Sequence, residues 1–207
     1  MKFLDRNGLA SLLAELSGEY DLYAPQEIDG ALVLRRLGPT KEPLEVAWNE
    51  HRLREPLKSL WFQSAKVVAQ WGQEPGEEPA PPRPRAVIGA KACDLRALEI
   101  IDKVFADHEF PEPAWCAARN CNLIITGDCT GAAETCFCTM LGGHPHPESL
   151  FDLNFSPVKG GYLVDVGSEK GKQLLEANEK LFEQAPRGLT AARDATREEV
   201  RTALAVS

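Results

Sequence analysis

Three of the six cysteines in this chain fall within ten residues, in the stretch Gly127-Asp-Cys-Thr-Gly-Ala-Ala-Glu-Thr-Cys-Phe-Cys-Thr-Met-Leu-Gly-Gly-His-Pro-His-Pro147, as Cys129, Cys136 and Cys138. Thiols packed this densely limit what surrounds them. Outside a disulfide scaffold they hold a soft metal ion or an iron–sulfur cluster, because the charge of several sulfurs needs a cation among them. Six cysteines in 207 residues read as metal, cluster or redox chemistry rather than as the framework of a small secreted domain. The fourth ligand is expected upstream, in Arg85-Ala-Val-Ile-Gly-Ala-Lys-Ala-Cys-Asp-Leu-Arg96, where an apolar run ends at a glycine and Cys93 opens a segment of helical period. This is a strand, a loop and a helix. A thiolate at a helix start is favoured by the free N–H groups and the positive end of the dipole. Cys93, Cys129, Cys136 and Cys138 then complete a four-thiolate shell.

The rest of the chain predicts a mixed α/β fold, a small mixed sheet with flanking helices and a cysteine-rich cluster-binding loop region. Leu9, Leu12, Leu13 and Leu16 recur at helical spacing from Asp5, with Gly18 as a stop. Strands are expected at Tyr20 to Ala24 and Gly30 to Leu37, around turn residues Pro25, Asp29 and Gly30. Pro56 suits a helix first turn, with Leu60, Val67, Val68 and Trp71 on one face; there Trp61 and Phe62 are read as core and Lys58 as a solvated charge. Ala86 to Ile88 and Asn122 to Thr126 are strands whose C-terminal ends deliver cysteines, the place where open α/β sheets build sites. Asp152 to Ser156 and Tyr162 to Val166 form a hairpin around Pro157 to Gly161. A helix from Ser168 to Gln184 faces Leu174, Leu175, Leu181 and Phe182 inward, with Ser168 as N-cap and Glu169 in its first turn. The domain plan is an N-terminal α/β lobe over 1–71, a Pro/Glu-rich linker or surface loop over 72–84, a cysteine-containing α/β lobe over 85–186, and a helical tail over 187–207. That tail has a thin apolar face, fit to dock on a partner or to lead into a further domain.

A net charge of −8 argues against nucleic acid or an anionic membrane as partner. The N-terminus is broken by Lys2, Asp5 and Arg6 before an apolar signal core forms, and no run approaches a membrane span, so a cytoplasmic protein with no membrane insertion is expected. Four thiolates suit structural zinc or a [4Fe-4S] cluster. Zinc sites come as two C-x2-4-C knuckles, whereas here the tight pair is Cys136 and Cys138, as C-x-C, which favours the cluster. Cys116 and Cys121 read as two free cysteines, with a thiol redox pair as the competing reading. His144 and His146 read as structural or solvent-facing turn residues rather than ligands. There is no Gly-rich phosphate loop, nucleophile elbow or metalloprotease histidine pair, and Asp94 with Arg96 reads as a capping arrangement, so the chain is not expected to carry substrate chemistry by itself.

Gly89-Ala-Lys-Ala-Cys93-Asp-Leu-Arg-Ala97, followed by Cys129, Thr135-Cys-Phe-Cys-Thr139 and Gly142-Gly-His-Pro145, resembles the family that contains the beta subunit of cytoplasmic sulfhydrogenases and the corresponding iron–sulfur component of anaerobic sulfite reductase. Tyr23-Ala-Pro25, Pro56-Leu-Lys58 with Phe62-Gln63, and Gly161-Tyr-Leu-Val164 resemble it in the same order. The resemblance implies an iron–sulfur electron-transfer subunit of an oxidoreductase complex. It would relay single electrons between a flavin-containing or ferredoxin-like partner and a catalytic subunit, with one [4Fe-4S] cluster on Cys93, Cys129, Cys136 and Cys138. Ala92 stands where the family often has proline. The family also continues into a two-cluster ferredoxin domain whose C-x2-C-x2-C-x3-C runs are missing from these 207 residues; a separate ferredoxin-like subunit or a shortened chain is the expectation. The alternative, of a different class, is a zinc-stabilised structural or assembly module without a redox role.

Overall fold

A computed structural model describes residues 1–38, 53–62 and 83–205. The mixed α/β fold expected from the sequence is the fold observed. Its described strands are β1 (Lys2–Asp5), β2 (Asp21–Ile28), β3 (Ala31–Arg36), β4 (Arg85–Ala90), β5 (Leu123–Gly127), β6 (Leu153–Val158), β7 (Gly161–Val166) and β8 (Glu183–Gln184). They form one sheet in the order β3-β2-β4-β5-β6-β7-β1-β8. The central β2, β4, β5 and β6 run parallel, and the pairs at both edges are antiparallel. Strands from either side of the 72–84 stretch pair directly, with Asp21 opposite Arg85 and Tyr23 opposite Val87.

Residue alternation divides the core between the two faces of this sheet. Ala86, Ile88, Leu123, Ile125, Leu153 and Phe155 point to one face, where they meet Leu9, Leu12, Leu13 and Leu16 of α1 (Arg6–Glu19) and Phe182. Val87, Ala90 and Ile124 point to the other, where they meet Leu95 and Leu98 of α2 (Ala92–Phe105), Trp115 of α3 (Pro113–Cys121), Trp61 and Phe151. The helix α4 (Glu169–Ala177) lies beside α1, and α5 (Leu189–Leu204) closes the chain.

Local chemistry explains where the boundaries differ from expectation. The helix α1 begins as anticipated, with the Asp5 carboxylate accepting the Gly8 N–H, but it runs through Gly18 and ends at Glu19, with Tyr20 as its C-cap. Gly18 faces open space, so nothing demands a left-handed stop there. Pro25 is a strand residue opposite Leu34; β4 stops pairing with β2 at Tyr23, so no N–H is needed on that side two residues later. The turn is Asp29–Gly30 alone. Pro56 precedes a short 3-10 turn over Leu57–Leu60 as its cap rather than sitting in a helix first turn. Trp61 is buried and Lys58 exposed as read, whereas Phe62 is exposed and touches Phe105 at 5.7 Å between ring centroids. Val67, Val68 and Trp71 lie outside the described residues, as does most of the 72–84 stretch.

The helix expected to reach Gln184 stops at Ala177. Its N-cap is Ser168, whose hydroxyl accepts the Gly171 N–H at 3.0 Å. At Asn178 the chain leaves the helical region (φ −113°, ψ 23°), a 3-10 turn covers Glu179–Leu181, and Glu183 and Gln184 then pair with β1. Leu181 and Phe182 still face inward, by way of that turn and strand. Neither β1, β8 nor α3 announces itself by periodicity: β1 and β8 are strands of four and two residues, and α3 is a short alanine-rich helix capped by Glu112. Among the described residues no helix is long and apolar enough to cross a membrane.

Candidate cofactor site

Cys93 and Cys129 follow the C-terminal ends of two neighbouring parallel strands, β4 and β5, so the sheet itself brings them together. The strand β4 is interrupted near its end. Gly89 (φ 77°) takes a left-handed conformation open to glycine, and the pairing register shifts between Ile88 and Ala90. The chain then reaches Lys91, the N-cap of α2, with Cys93 and Asp94 in the first helical turn. The Asp94 carboxylate accepts the Lys91 backbone N–H at 3.0 Å, which fixes the helix start and with it the direction of Cys93.

The second cysteine segment is a long loop between β5 and β6. Its beginning is pinned where the Cys129 N–H donates to the Pro145 carbonyl at 2.9 Å. Cys136 sits in a turn in which its own N–H donates to the Ala133 carbonyl at 2.9 Å. The Ala133 N–H in return donates to the Cys136 sulfur at 3.3 Å. After Cys138 the chain makes a 3-10 turn over Thr139–Leu141, and the Gly143 N–H comes back to the Cys138 carbonyl at 2.9 Å.

These segments enclose a cavity of about 390 Å³ whose walls include Cys93, Cys129, Cys136 and Cys138, together with Lys91, Asp94 and His144. The cavity thus gathers all four cysteines expected to act together. Among the described residues, no three His, Cys, Asp or Glu side chains converge on a point where one ion would be held. Desolvation by the cavity walls raises the Cys93 thiol to about 12, with Asp94 and the neighbouring Cys129 and Cys138 acting in the same direction, although the residue keeps an exposed surface. Burial also raises Cys129 to about 11, against the opposing pull of Lys91. Cys138 is raised by burial too. A cation entering the cavity therefore displaces protons from these sulfurs.

A charged layer supports the loop from below. Asp128, buried beside Cys129, accepts from Arg197 of α5 (Nε to Oδ2, 2.7 Å; Nη2 to Oδ1, 3.2 Å) and from Asn154 Nδ2 at 2.9 Å. Arg197 also reaches Ser156 Oγ at 3.1 Å and Asp165 at 3.5 Å, and Arg193 pairs with Asp165 at 3.3 Å. Val200 and Leu204 are buried on the same helix, and Leu204 lines the cavity. The helical tail thus docks on its own chain.

Cys116 and Cys121 are free thiols on α3, absent from the walls of the cavity. The His144 and His146 rings stack at 5.2 Å between centroids; His144 lies 3.7 Å from Glu148, and His146 Nδ1 is buried without a hydrogen-bond partner. Lys91 and the Asp128–Arg197 pair were not singled out by sequence reasoning. Lys91 had a signal, as the one charged residue between Arg85 and Asp94 in a run of small and apolar residues. Arg197 had none, being 69 residues from its partner in a helix full of charges.

Part of the chain resembles a sulfhydrogenase subunit. Sulfhydrogenase 2 subunit beta from Pyrococcus furiosus is 32% identical over 97 residues, which is 47% of this chain and 28% of that relative. The chain therefore matches little more than a quarter of the relative's length. No protein-family profile and no solved structure matches the chain.

Proposed function

We propose that this chain is the iron–sulfur electron-transfer module of a multi-subunit, hydrogenase-like oxidoreductase in the cytoplasm. One [4Fe-4S] cluster is held by Cys93, Cys129, Cys136 and Cys138, and electrons pass between a flavin-containing or ferredoxin-like partner and a catalytic subunit. The observation that carries this reading is the single cavity lined by all four thiols. The partial likeness to a sulfhydrogenase beta subunit supports the setting. Bound there, the cluster supplies one-electron storage at a potential set by its surroundings. The chain's own residues do the rest: Gly89 and Asp94 aim Cys93, the Pro145 carbonyl ties down Cys129, and the Ala133 N–H donates to the Cys136 sulfur. Such N–H donors, burial and nearby charge are the protein's means of setting the potential.

The spread of the thiols weighs between cluster and zinc. Tetrahedral zinc with bonds of about 2.3 Å to sulfur needs its sulfurs about 3.8 Å apart. A cubane holds its thiolates at outer corners, more widely spaced, and the C-x-C spacing of Cys136 and Cys138, without the two C-x2-4-C knuckles of zinc sites, favours it. The zinc-stabilised assembly module is the second reading.

Iron, zinc and acid-labile sulfide measured on anaerobically purified protein, with Cys136→Ser beside it, test the proposal. The expected result is about four iron and four sulfide per chain, with the content lost or lowered in the variant. About one zinc per chain with no sulfide would overturn the relay and leave the structural module.

A further inference from the structure

Lys91 is 2% exposed and is among the largest fully buried side chains of the described residues. Burying an ammonium costs several kcal/mol unless opposite charge or hydrogen bonds compensate. Its Nζ donates to the Gly127 carbonyl at 3.4 Å, at the end of β5 just before Asp128 and Cys129. Two carboxylates, Asp94 and Asp128, stand near it. Asp94 caps the Lys91 backbone, and Asp128 is shared between Arg197 and Asn154. The thiols of Cys129 and Cys93 are near this ammonium as well, and Lys91 stands on the cavity wall with them.

We infer that the buried Lys91 ammonium is the fixed counter-charge of the four-thiolate site and raises the reduction potential of the cluster held there. This inference rests on the relay reading above. A cluster with four thiolates carries net negative charge, and reduction adds one more negative charge. A cation fixed in a water-poor wall stabilises the reduced form more than the oxidised one. The N-terminal end of α2, which Lys91 caps, acts in the same sense. Lys91 is thus a positioning and tuning residue, with no bond to the cluster required.

The test is a redox titration monitored by electron paramagnetic resonance on wild type, Lys91→Met, Lys91→Gln and Lys91→Arg. Iron and sulfide content and far-ultraviolet circular dichroism are recorded for each. Methionine keeps much of the stem without charge, glutamine keeps a donor for the Gly127 carbonyl, and arginine keeps the charge. The expected result is wild-type cluster content with a more negative midpoint potential in Lys91→Met and Lys91→Gln, and a midpoint restored toward wild type in Lys91→Arg. Loss of the cluster in both neutral variants with retention in Lys91→Arg also supports the counter-charge. An unchanged midpoint in loaded Lys91→Met overturns it, as does loss of cluster or of fold in all three variants, which makes Lys91 a packing residue. Both of those results leave the relay standing, whereas a wild-type protein that takes up no iron and sulfide removes the relay itself.

Discussion

Residues of one chemical type do different work in this protein according to burial, and His146 shows it. Burial lowers its pKa, helped by the positive charge of Arg197 and by His144, and opposed by Asp128 and Glu148. Its Nδ1 is buried without a partner, so the neutral ring is the form the folded chain accepts. The sign of the pH effect follows. Because the folded pKa is below the unfolded value of 6.5, the unfolded chain binds the proton more readily, and the contribution of His146 is intact above about pH 6.5 and lost as pH falls below it. The urea midpoint of wild type is expected to fall between pH 7 and pH 5, and His146→Asn to flatten that slope. An equal slope in the variant would assign the dependence to other groups. Neighbouring His144, half-exposed beside Glu148, fits the turn role expected from sequence, but nothing in Gly-Gly-His-Pro-His-Pro says which of its two histidines is turned inward.

Among the elements, α5 is the one whose role changes most once the fold is known. Its sequence is charged and alanine-rich, the profile of a helix that is marginal alone. Docking comes from Val200 and Leu204 and from a buried pair, Arg197 on Asp128, whose side chains are 17% and 5% exposed. The exposed Arg201–Glu198 pair on the same helix contributes little by comparison. Arg197→Met is expected to strand the Asp128 carboxylate and to cost about 3 kcal/mol of stability, read from urea unfolding. Arg201→Met should change it by less than about 0.5 kcal/mol. Equal effects of the two substitutions would show that Asp128 reaches water when Arg197 is removed. Since Asp128 adjoins Cys129, the same pair ties the last helix to the loop that carries three of the four cysteines.

Across the whole molecule, one sheet carries two cores. The faces meet α1 and α4 on one side and α2 and α3 on the other, and residues of β4 and β5 alternate between the two. Direct pairing of β2 with β4 joins the strands before the 72–84 stretch to those after it. We therefore expect a single cooperative unfolding transition. Tryptophan fluorescence and far-ultraviolet circular dichroism should give coincident urea curves, whereas two separated transitions would mean that the segments on either side of 72–84 unfold as independent lobes.

The sequence alone singled out the four cysteines that line one cavity, because dense thiols outside a disulfide scaffold have few other uses, and it determined that two of them follow strands, because the apolar runs before Cys93 and Cys129 end at glycines. It also determined the cap at Ser168, a local hydrogen bond between residues three apart. Only the tertiary structure decided that Lys91 is buried in the wall of the cavity the thiols line, that Arg197 meets Asp128, and that the chain after Asn178 leaves its helix to become an edge strand. Each of these depends on partners distant in sequence: Gly127 for Lys91, 36 residues away, Asp128 for Arg197, and β1 for Glu183. Periodicity and composition report which face of an element is apolar. They do not report which distant backbone carbonyl or carboxylate will meet a charge, since that meeting exists only after the sheet has assembled.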